Sequence, residues 1–191
     1  SSNNQQYSSV DGVLFDKNQT KLVKYPADKT DENYKVPDSV TSIEWDAFTN
    51  SKNLKTVSIG KATVPTDSTI MFDDCPQLTD ITVADDNEQF SSEAGVLFNK
   101  DKTTIVRYPA GKESTAYEIP SSVTNINVGA FSECNNLTEI NIPSSVTTIE
   151  SSAFENCKKL ERITIPASVT DLSENFLVSE CDNLKSIEVS A

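Results

Sequence analysis

Four cysteines are the residues of this sequence with the most obvious chemistry. Cys75, Cys134, Cys157 and Cys181 are even in number, as in a disulfide framework. Each lies three residues before a leucine, which indicates one recurring position and a column of small buried groups. Neighbours such as Cys134 and Cys157 could approach disulfide distance if the chain stacks on itself at about 5 Å. We favour reduced, structural cysteines, and the lack of any C-x-x-C spacing argues against a zinc site.

The inventory of side chains argues against catalysis. The chain has no histidine, which removes Ser-His and Cys-His nucleophile systems and the commonest metal ligand. A pair of carboxylates remains possible. We expect Asp80, Glu118, Glu139 and Glu188 on the outer surface of one sheet, where two of them could reach the ~5–10 Å separation used by glycosidases. The competing interpretation is a hydrated acidic face, because a flat surface offers no pocket that would raise the pKa of a carboxyl group. We therefore predict no enzyme, no catalytic residue and no cofactor.

A run of acidic and amide residues at Asp85–Glu88 has the composition of a calcium loop, since Ca²⁺ prefers oxygen ligands. The same segment occurs 83 residues earlier as Ser2–Gln5, where every charge is missing. Because calcium affinity rises with the number of charged ligands, a solvated turn is the better interpretation. We predict no metal site.

Net charge excludes several classes of partner. The 191 residues include 16 basic and 29 acidic side chains, which gives a formal net charge of −13. Such a chain repels phosphate backbones and anionic membranes, so we expect no nucleic-acid partner. The longest apolar runs are far too short to cross a bilayer, and we predict no membrane insertion. The first residues lack the features of a signal peptide, so either none is needed or a leader has been removed.

An internal repeat supplies the elements that carry these residues. Pro120, Pro143 and Pro166 are 23 residues apart, and each follows an isoleucine. Residues 8–40 also match residues 91–123 at 17 of 33 positions, with a constant offset of 83. That offset is the sum of three turns of 23, 24 and 36 residues, so one turn in three is enlarged. Repeats of this length are typical of solenoids, in which stacked coils share one core.

The apolar positions within each repeat predict its local structure. Ile140 and Ile142 alternate with polar residues, which indicates a strand with one buried face. The apolar residues between Ala153 and Leu160 have the spacing of a single helical turn that faces inward. In the enlarged turns, Gly-Val-Leu-Phe is followed by a second apolar segment, at Leu22–Tyr25 or Ile105–Tyr108, which predicts a β-hairpin.

Two recurring phrases carry a resemblance to a known family. They are I-P-x-S-V-x-x-I-x-x-x-A-F-x-x-C-x-x-L-x-x-I-x-I and the interposed S-S-x-x-G-V-L-F-x-K-x-x-T-x-x-x-x-Y-P. Together they resemble the BspA-like leucine-rich repeat family over essentially the whole chain. The resemblance implies a right-handed solenoid, in cell-surface or secreted proteins of host-associated bacteria and some protists, with roles in adhesion and in binding host proteins. Ser51 is one departure, because it stands where the family phrase has its cysteine.

We predict a single domain over residues 1–191. Its fold class is an α/β repeat solenoid rich in strands: a right-handed leucine-rich repeat superhelix with short helical turns and two inserted β-hairpins. The first enlarged coil covers 8–36 and is followed by regular coils over 37–83. The second enlarged coil covers 84–119 and is followed by regular coils over 120–191.

The outward-facing positions of the main sheet are the candidate binding surface, because they vary above apolar positions that repeat. Trp45 is a further candidate, either as an exposed contact residue or half-buried against the first hairpin. The candidate partner-binding residues are Lys35, Trp45, Thr56, Asp80, Thr82, Glu118, Glu139, Asn141, Arg162, Thr164 and Glu188.

Two functions are consistent with this surface. The leading hypothesis is a recognition or adhesion module, extracellular or at the cell surface, that binds a host or extracellular protein or glycan along the sheet face. The second is a structural spacer or assembly element of a larger surface protein. An open coil end would expose apolar residues and strand edges, which favours end-to-end self-association.

Overall fold

The structure, a computed structural model, describes residues 4–61, 64–65, 72–172 and 178–190. The strands of its first part are β1 (Tyr7–Val10), β2 (Val13–Asp16), β3 (Lys21–Lys24), β4 (Asn33–Lys35), β5 (Ser42–Ile43), β6 (Thr56–Ile59), β7 (Val64–Pro65) and β8 (Asp80–Val83). The strands that follow are β9 (Phe90–Glu93), β10 (Val96–Asn99), β11 (Thr104–Arg107), β12 (Ala116–Glu118), β13 (Asn125–Ile126), β14 (Glu139–Asn141), β15 (Thr148–Ile149), β16 (Arg162–Ile165), β17 (Asp171–Leu172) and β18 (Ser186–Val189).

Parallel pairing between equivalent strands builds the stack. Strands β4, β6 and β8 form one sheet, here called the first ladder, and β12, β14, β16 and β18 form the second ladder. In the second ladder Ile140 pairs with Ile163, and Ile163 pairs with Ile187. Each pairing joins residues one repeat apart, so the buried isoleucines superpose from coil to coil. The prediction of a strand-rich repeat solenoid is confirmed, and the solenoid has about seven coils.

The two enlarged coils each contain a three-stranded antiparallel layer. We call β1–β2–β3 the first hairpin layer and β9–β10–β11 the second hairpin layer. The predicted hairpins are present as β2–β3 and β10–β11, but the sequence analysis missed β1 and β9. The two-residue turn Asp11-Gly12 joins β1 to β2, and Ala94-Gly95 joins β9 to β10. Both residues of each turn have positive φ. This is the backbone of a type I′ turn, whose twist matches an antiparallel pair.

The predicted helical turns are not seen, since no helix occurs in the described residues. Each turn instead contains a residue in the left-handed region directly before the cysteine position, with φ between 54° and 68°. These residues are Asn50, Asp74, Glu133, Asn156 and Glu180. A left-handed residue cannot continue an α-helix. In three of them the backbone N–H donates to a carbonyl of the next coil, as from Asn156 to Ser179 at 2.8 Å. The handedness of the superhelix stays a prediction.

Stacked aromatic rings fill the interior on either side of the second hairpin layer. Tyr25, Phe48 and Phe72 form one column, and Tyr108, Phe131 and Phe154 form the other. The Phe131 and Phe154 ring centroids are 5.3 Å apart and the rings are nearly parallel, at 19°. These two rings therefore lie in one interior column.

The cysteines form the column expected of structural thiols, in which Cys75, Cys134 and Cys157 are buried and Cys181 is half-buried. All four are free. Each Sγ donates to the carbonyl oxygen of the aromatic residue in an adjacent coil, with distances of 3.1 Å from Cys75 to Phe48 and 3.0 Å from Cys157 to Phe131. Burial raises the pKa of the Cys75 thiol to about 12. A thiol in that state packs as a small apolar group.

Candidate binding surface

The candidate residues occupy two columns on the outer side of each ladder. In the first ladder Lys35, Ser58 and Thr82 are register partners, and Thr56 pairs with Asp80. In the second ladder the columns contain Glu118 paired with Asn141, Thr164 paired with Glu188, and Glu139 paired with Arg162. Isoleucine or valine alternates with these residues and faces inward, because successive side chains of a strand point to opposite faces.

The expectation that these residues lie on one main sheet is wrong, because the two ladders are separate sheets. The second hairpin layer occupies the edge of β8 that β12 would otherwise need. The Ile81 N–H donates to the Gly95 carbonyl at 2.9 Å, and the Val83 N–H donates to Ser92 Oγ at 3.0 Å. We therefore distinguish the first face, on β4–β6–β8, from the second face, on β12–β14–β16–β18.

Side chains of the first face mainly bond one another. Thr82 Oγ1 donates to Ser58 Oγ at 2.9 Å, and Thr56 Oγ1 donates to Asn33 Oδ1 at 2.7 Å. Lys35 pairs with Asp38 at 3.1 Å. A groove of about 590 Å³ begins at the carboxyl end of these strands, with Lys35, Ser58 and Thr82 on its wall. Most polar groups of this face are thus already engaged within the protein.

The second face offers a more open set of polar groups. Arg162 is exposed and lines two adjoining grooves, of about 380 Å³ and 420 Å³. Glu139 lines both grooves beside it, and Glu188 lines one. Among the described residues no carboxylate forms an ion pair with Arg162, whereas nearby Lys185 pairs with Glu161 at 2.9 Å. The Arg162 guanidinium therefore keeps its planar set of donors for an external group.

The four carboxylates proposed as an alternative catalytic pair are not brought opposite one another. Asp80 lies in the first ladder, and Glu118, Glu139 and Glu188 lie in the second. Within the second ladder their register partners are Asn141, Arg162 and Thr164 respectively. No two of the four residues are therefore register partners, although Glu139 and Glu188 line the same groove.

Trp45 lies apart from both faces. It follows β5, which belongs to the five-stranded sheet containing the first hairpin layer. Its side chain is 47% exposed, which agrees with the exposed alternative more than with packing against the hairpin. Trp45 could therefore contact a partner only at the five-stranded sheet, not at either face.

The segment Asp85–Glu88 forms a structural turn. Asn87 is buried, and its Oδ1 accepts from the N–H groups of Gln89 and Phe90 at 2.9 and 2.8 Å. Its Nδ2 donates to the Gly60 carbonyl at 2.7 Å. The amide that a calcium loop would need is thus engaged by backbone groups. In the part of the chain that the structure describes, no cluster of three or more metal-ligating residues is present.

Sequence reasoning missed Arg107, which is 3% exposed and joins the two halves of the stack. Its Nη1 donates to the Gly129 carbonyl at 2.7 Å and to Ser132 Oγ at 2.6 Å, and lies 3.2 Å from Asp73 Oδ1. Its Nη2 donates to the Phe72 carbonyl at 3.0 Å. The equivalent residue in the first enlarged coil is Lys24. The replacement of this lysine by arginine was the sign in the sequence that position 107 makes additional hydrogen bonds.

A second contact across the same join involves Glu133. Its carboxylate accepts from the Asp74 backbone N–H at 2.7 Å. Burial raises the pKa of Glu133, and the hydrogen bond from Asp74 opposes that shift. The two residues are 59 positions apart in the sequence, so the contact exists only because the coils stack.

These features define a leucine-rich repeat protein of the strand-rich, solenoid class. The sequence matches the family described as BspA type leucine-rich repeat region, in six copies over residues 27–104 and 108–191. The chain belongs to this family. A search of curated proteins gave no match.

Solved structures of bacterial leucine-rich repeat proteins are similar to this chain. One from Eubacterium ventriosum is 28% identical, with a TM-score of 0.68, over 84% of this chain and 54% of that one. A leucine-rich cell surface protein from Faecalibacterium prausnitzii is 29% identical, with a TM-score of 0.51, over 81% and 52%. The pneumococcal vaccine antigen PcpA shares the fold, at 23% identity and a TM-score of 0.62, over 83% and 51%. This chain thus spans about half the length of these relatives. The described residues contain no helix long and apolar enough to span a membrane.

Proposed function

We propose that this chain is a recognition module of the cell surface or extracellular space that binds a protein or glycan through its second face. One observation carries the proposal: Arg162 is exposed between two adjoining grooves and forms no ion pair with the described residues. Arginine is enriched among the residues that dominate binding energies, because its planar donors match carboxylates and other oxygen pairs.

The charge of the chain favours a particular class of ligand. With a formal net charge of −13, the protein attracts cationic partners over long range and repels anionic ones. Glu139 and Glu188 beside Arg162 would meet basic side chains, while Arg162 would bind a carboxylate or carbonyl oxygen of the same partner. A protein ligand with a basic surface fits this pattern best. Its association rate should fall as salt is raised.

The relatives support the proposed location. One similar structure is that of a cell surface protein and another is that of a vaccine antigen, and this chain covers 52% and 51% of them respectively. We propose a surface or secreted location and an adhesive role on this basis. We also propose that the module binds without turnover, since its family consists of leucine-rich repeat proteins and its sequence contains no histidine.

A binding screen tests the proposal. The 191-residue protein would be applied to an array of extracellular-matrix proteins, plasma proteins and glycans, beside the double variant Glu139→Lys/Arg162→Glu. That variant reverses both charges of one register pair and leaves the net charge unchanged. A matched control is Glu93→Lys/Lys102→Glu, which reverses an ion pair on the second hairpin layer.

The expected result is saturable binding that the Glu139/Arg162 variant loses and the Glu93/Lys102 control retains. Loss of binding in both variants would mean that the binding site is not on the second face. Absence of saturable binding by the wild-type protein would contradict a recognition role and favour the spacer or assembly alternative.

A further inference from the structure

Strand β12 has one edge that pairs with no other strand among the described residues. It is the first strand of the second ladder, and its other edge pairs with β14. The Thr115 carbonyl accepts from an N–H of β14 at 3.2 Å, and the Ile119 N–H donates to a carbonyl of β14 at 3.2 Å. Alternate residues of a strand direct their peptide groups to opposite sides. The N–H and carbonyl groups of Ala116 and Glu118 therefore point away from β14.

Ala116 and Glu118 carry the free backbone groups of this edge. In the part of the chain that the structure describes, these groups form no hydrogen bond on the side away from β14. Both residues are exposed, as are residues 113–115 directly before β12. Unpaired peptide groups at an accessible strand edge are a template to which another strand can add.

The second hairpin layer is the reason that this edge is free. Gly95 and Ser92 accept hydrogen bonds from β8 at 2.9 and 3.0 Å, so they occupy the edge of β8 that would otherwise face β12. Gly95 has a φ of +77°, and a Cβ there would collide with Asp80, so the turn lies directly against β8. Strand β8 and its coil precede β12 in the chain, so the start of the sequence has no part in leaving this edge free.

The charges at this edge favour a basic strand. Glu113 and Glu118 are exposed, and neither forms an ion pair with a described residue, whereas nearby Lys112 lies 4.0 Å from Asp80. Opposite charges at neighbouring positions of a sheet stabilise the pairing of two strands, and like charges destabilise it. The formal net charge of −13 also makes a second copy of this chain an unfavourable partner. In β4 the equivalent of Glu118 is Lys35, so this acidic edge is particular to β12.

We infer that β12 binds an extended, basic segment of a partner protein, which adds to the second ladder as a further strand. Its main chain bonds to the peptide groups of Ala116 and Glu118, and a lysine or arginine lies beside Glu118. The next residue of the added strand points inward beside Tyr117, whose ring packs against Tyr108 at 4.8 Å, so an apolar side chain fits there. This edge is two strands away from Arg162, and the inference does not depend on ligand binding by the second face.

A designed peptide tests the inference. The probe is a short peptide in which lysine alternates with valine, blocked at both ends, and titration calorimetry with the 191-residue protein measures its dissociation constant. One control peptide has the same sequence with a fully N-methylated backbone, which removes the N–H donors and keeps the charge. A second control has glutamate in place of every lysine. The controls separate strand addition from attraction by charge alone.

Two variants of the protein alter the edge in different ways. Ala116→Pro removes one N–H from the free side and places the proline ring there, while the bonds from Thr115 and Ile119 to β14 are kept. Glu118→Lys reverses the charge of the edge and keeps its backbone groups. The matched control is Asn33→Pro, the same change at the equivalent position of β4. Circular dichroism would check that each variant keeps the wild-type fold.

We expect the wild type and Asn33→Pro to bind the lysine-valine peptide, with a dissociation constant that rises as salt is added. Ala116→Pro and Glu118→Lys should each raise that constant by roughly tenfold, and neither control peptide should bind. Hydrogen exchange followed by NMR should show that the bound peptide protects the Ala116 and Glu118 amides. Arg162→Ala should bind the peptide at least as tightly as the wild type, because Arg162 lies outside this edge.

Several results would overturn the inference. They are a wild type that does not bind the lysine-valine peptide, equal binding of the N-methylated peptide, unchanged binding by Ala116→Pro, and binding that leaves the Ala116 and Glu118 amides unprotected. Loss of binding in Arg162→Ala would also overturn it, because the peptide would then lie on the second face. Failure of the peptide to bind would leave the array experiment on the second face unaffected, so the two proposals can fail separately.

Discussion

Equivalent side chains make the same contact in successive coils. The stacked aromatic column shows how much one such contact contributes to the free energy of unfolding. Phe154 is fully buried and stacks on Phe131. We expect Phe154→Ala to lower the free energy of unfolding by about 3–5 kcal/mol, because it leaves a cavity between two coils. Thr164→Ala, on the outer side of β16, should change it by no more than about 0.5 kcal/mol. Urea denaturation of both variants checks this, and equal effects would mean that the inward and outward positions are misassigned.

The departure at Ser51 gives a second prediction at this scale. Ser51 is buried in the cysteine column, and its Oγ has no hydrogen-bond partner among the described residues. In the other coils a cysteine thiol donates to the aromatic carbonyl of an adjacent coil, as Cys75 does to Phe48. The longer C–S bond of Ser51→Cys should restore that contact and remove an unsatisfied hydroxyl. We expect a gain of about 1 kcal/mol in urea denaturation. The reverse change, Cys157→Ser, should be destabilising, and a stabilising effect there would contradict the explanation.

Among the structural elements, the two hairpin layers have equivalent positions that are packed differently, as Gly111 and Asp28 show. Gly111 donates its N–H to the Leu78 carbonyl at 2.8 Å and has no room for a side chain. Gly111→Ala should therefore cost about 1–3 kcal/mol by forcing the backbones apart. Asp28→Ala at the equivalent position of the first enlarged coil should be within about 0.5 kcal/mol of the wild type. Thermal unfolding of the pair is the measurement, and similar losses at both positions would argue against close packing as the cause.

Strands β1 and β9 show why part of each hairpin layer escaped prediction. Their sequences, Tyr-Ser-Ser-Val and Phe-Ser-Ser-Glu, lack the alternation that marked β14 and β16. They form strands because the two-residue turns at Asp11-Gly12 and Ala94-Gly95 fold them back onto β2 and β10. Tertiary pairing thus overrides weak intrinsic preference, as is common for strands.

The whole molecule consists of two core clusters that meet at the second hairpin layer. Arg107 joins them by donating to Phe72 on one side and to Gly129 and Ser132 on the other. We expect Arg107→Met to cost on the order of 2 kcal/mol, because it leaves several buried acceptors unpaired. It should also separate unfolding into two transitions, since solenoid stability depends on interfaces between neighbouring units.

Lys24→Met is the matched control for that prediction. Lys24 occupies the equivalent position, and among the described residues its side chain bonds to Asp46 alone. Its loss should leave a single transition and a small change in stability. Calorimetry of the two variants shows whether each unfolds in one transition or in two. A single, unchanged transition in Arg107→Met would show that other contacts, such as that between Glu133 and Asp74, are enough to couple the two core clusters.

The sequence by itself determined the repeating unit and the direction of its side chains. Alternation around Ile140 placed it inside, with Glu139 and Asn141 outside, because a strand points successive residues to opposite faces. The fixed spacing of the prolines and cysteines set the coil length, and hence which residues superpose. These features depend on neighbours a few residues apart, for which local patterns are informative.

Only the tertiary structure decided what happens between coils. It showed that the second hairpin layer separates the two ladders, that Arg107 is buried, and that Arg162 remains exposed between two grooves. The turn residues directly before the cysteine position adopt left-handed φ, and three of them donate to a carbonyl of the next coil, where the local pattern had suggested a helix. Each of these outcomes depends on partners twenty to sixty residues away, and local sequence preference is too weak to fix a contact that stacking determines.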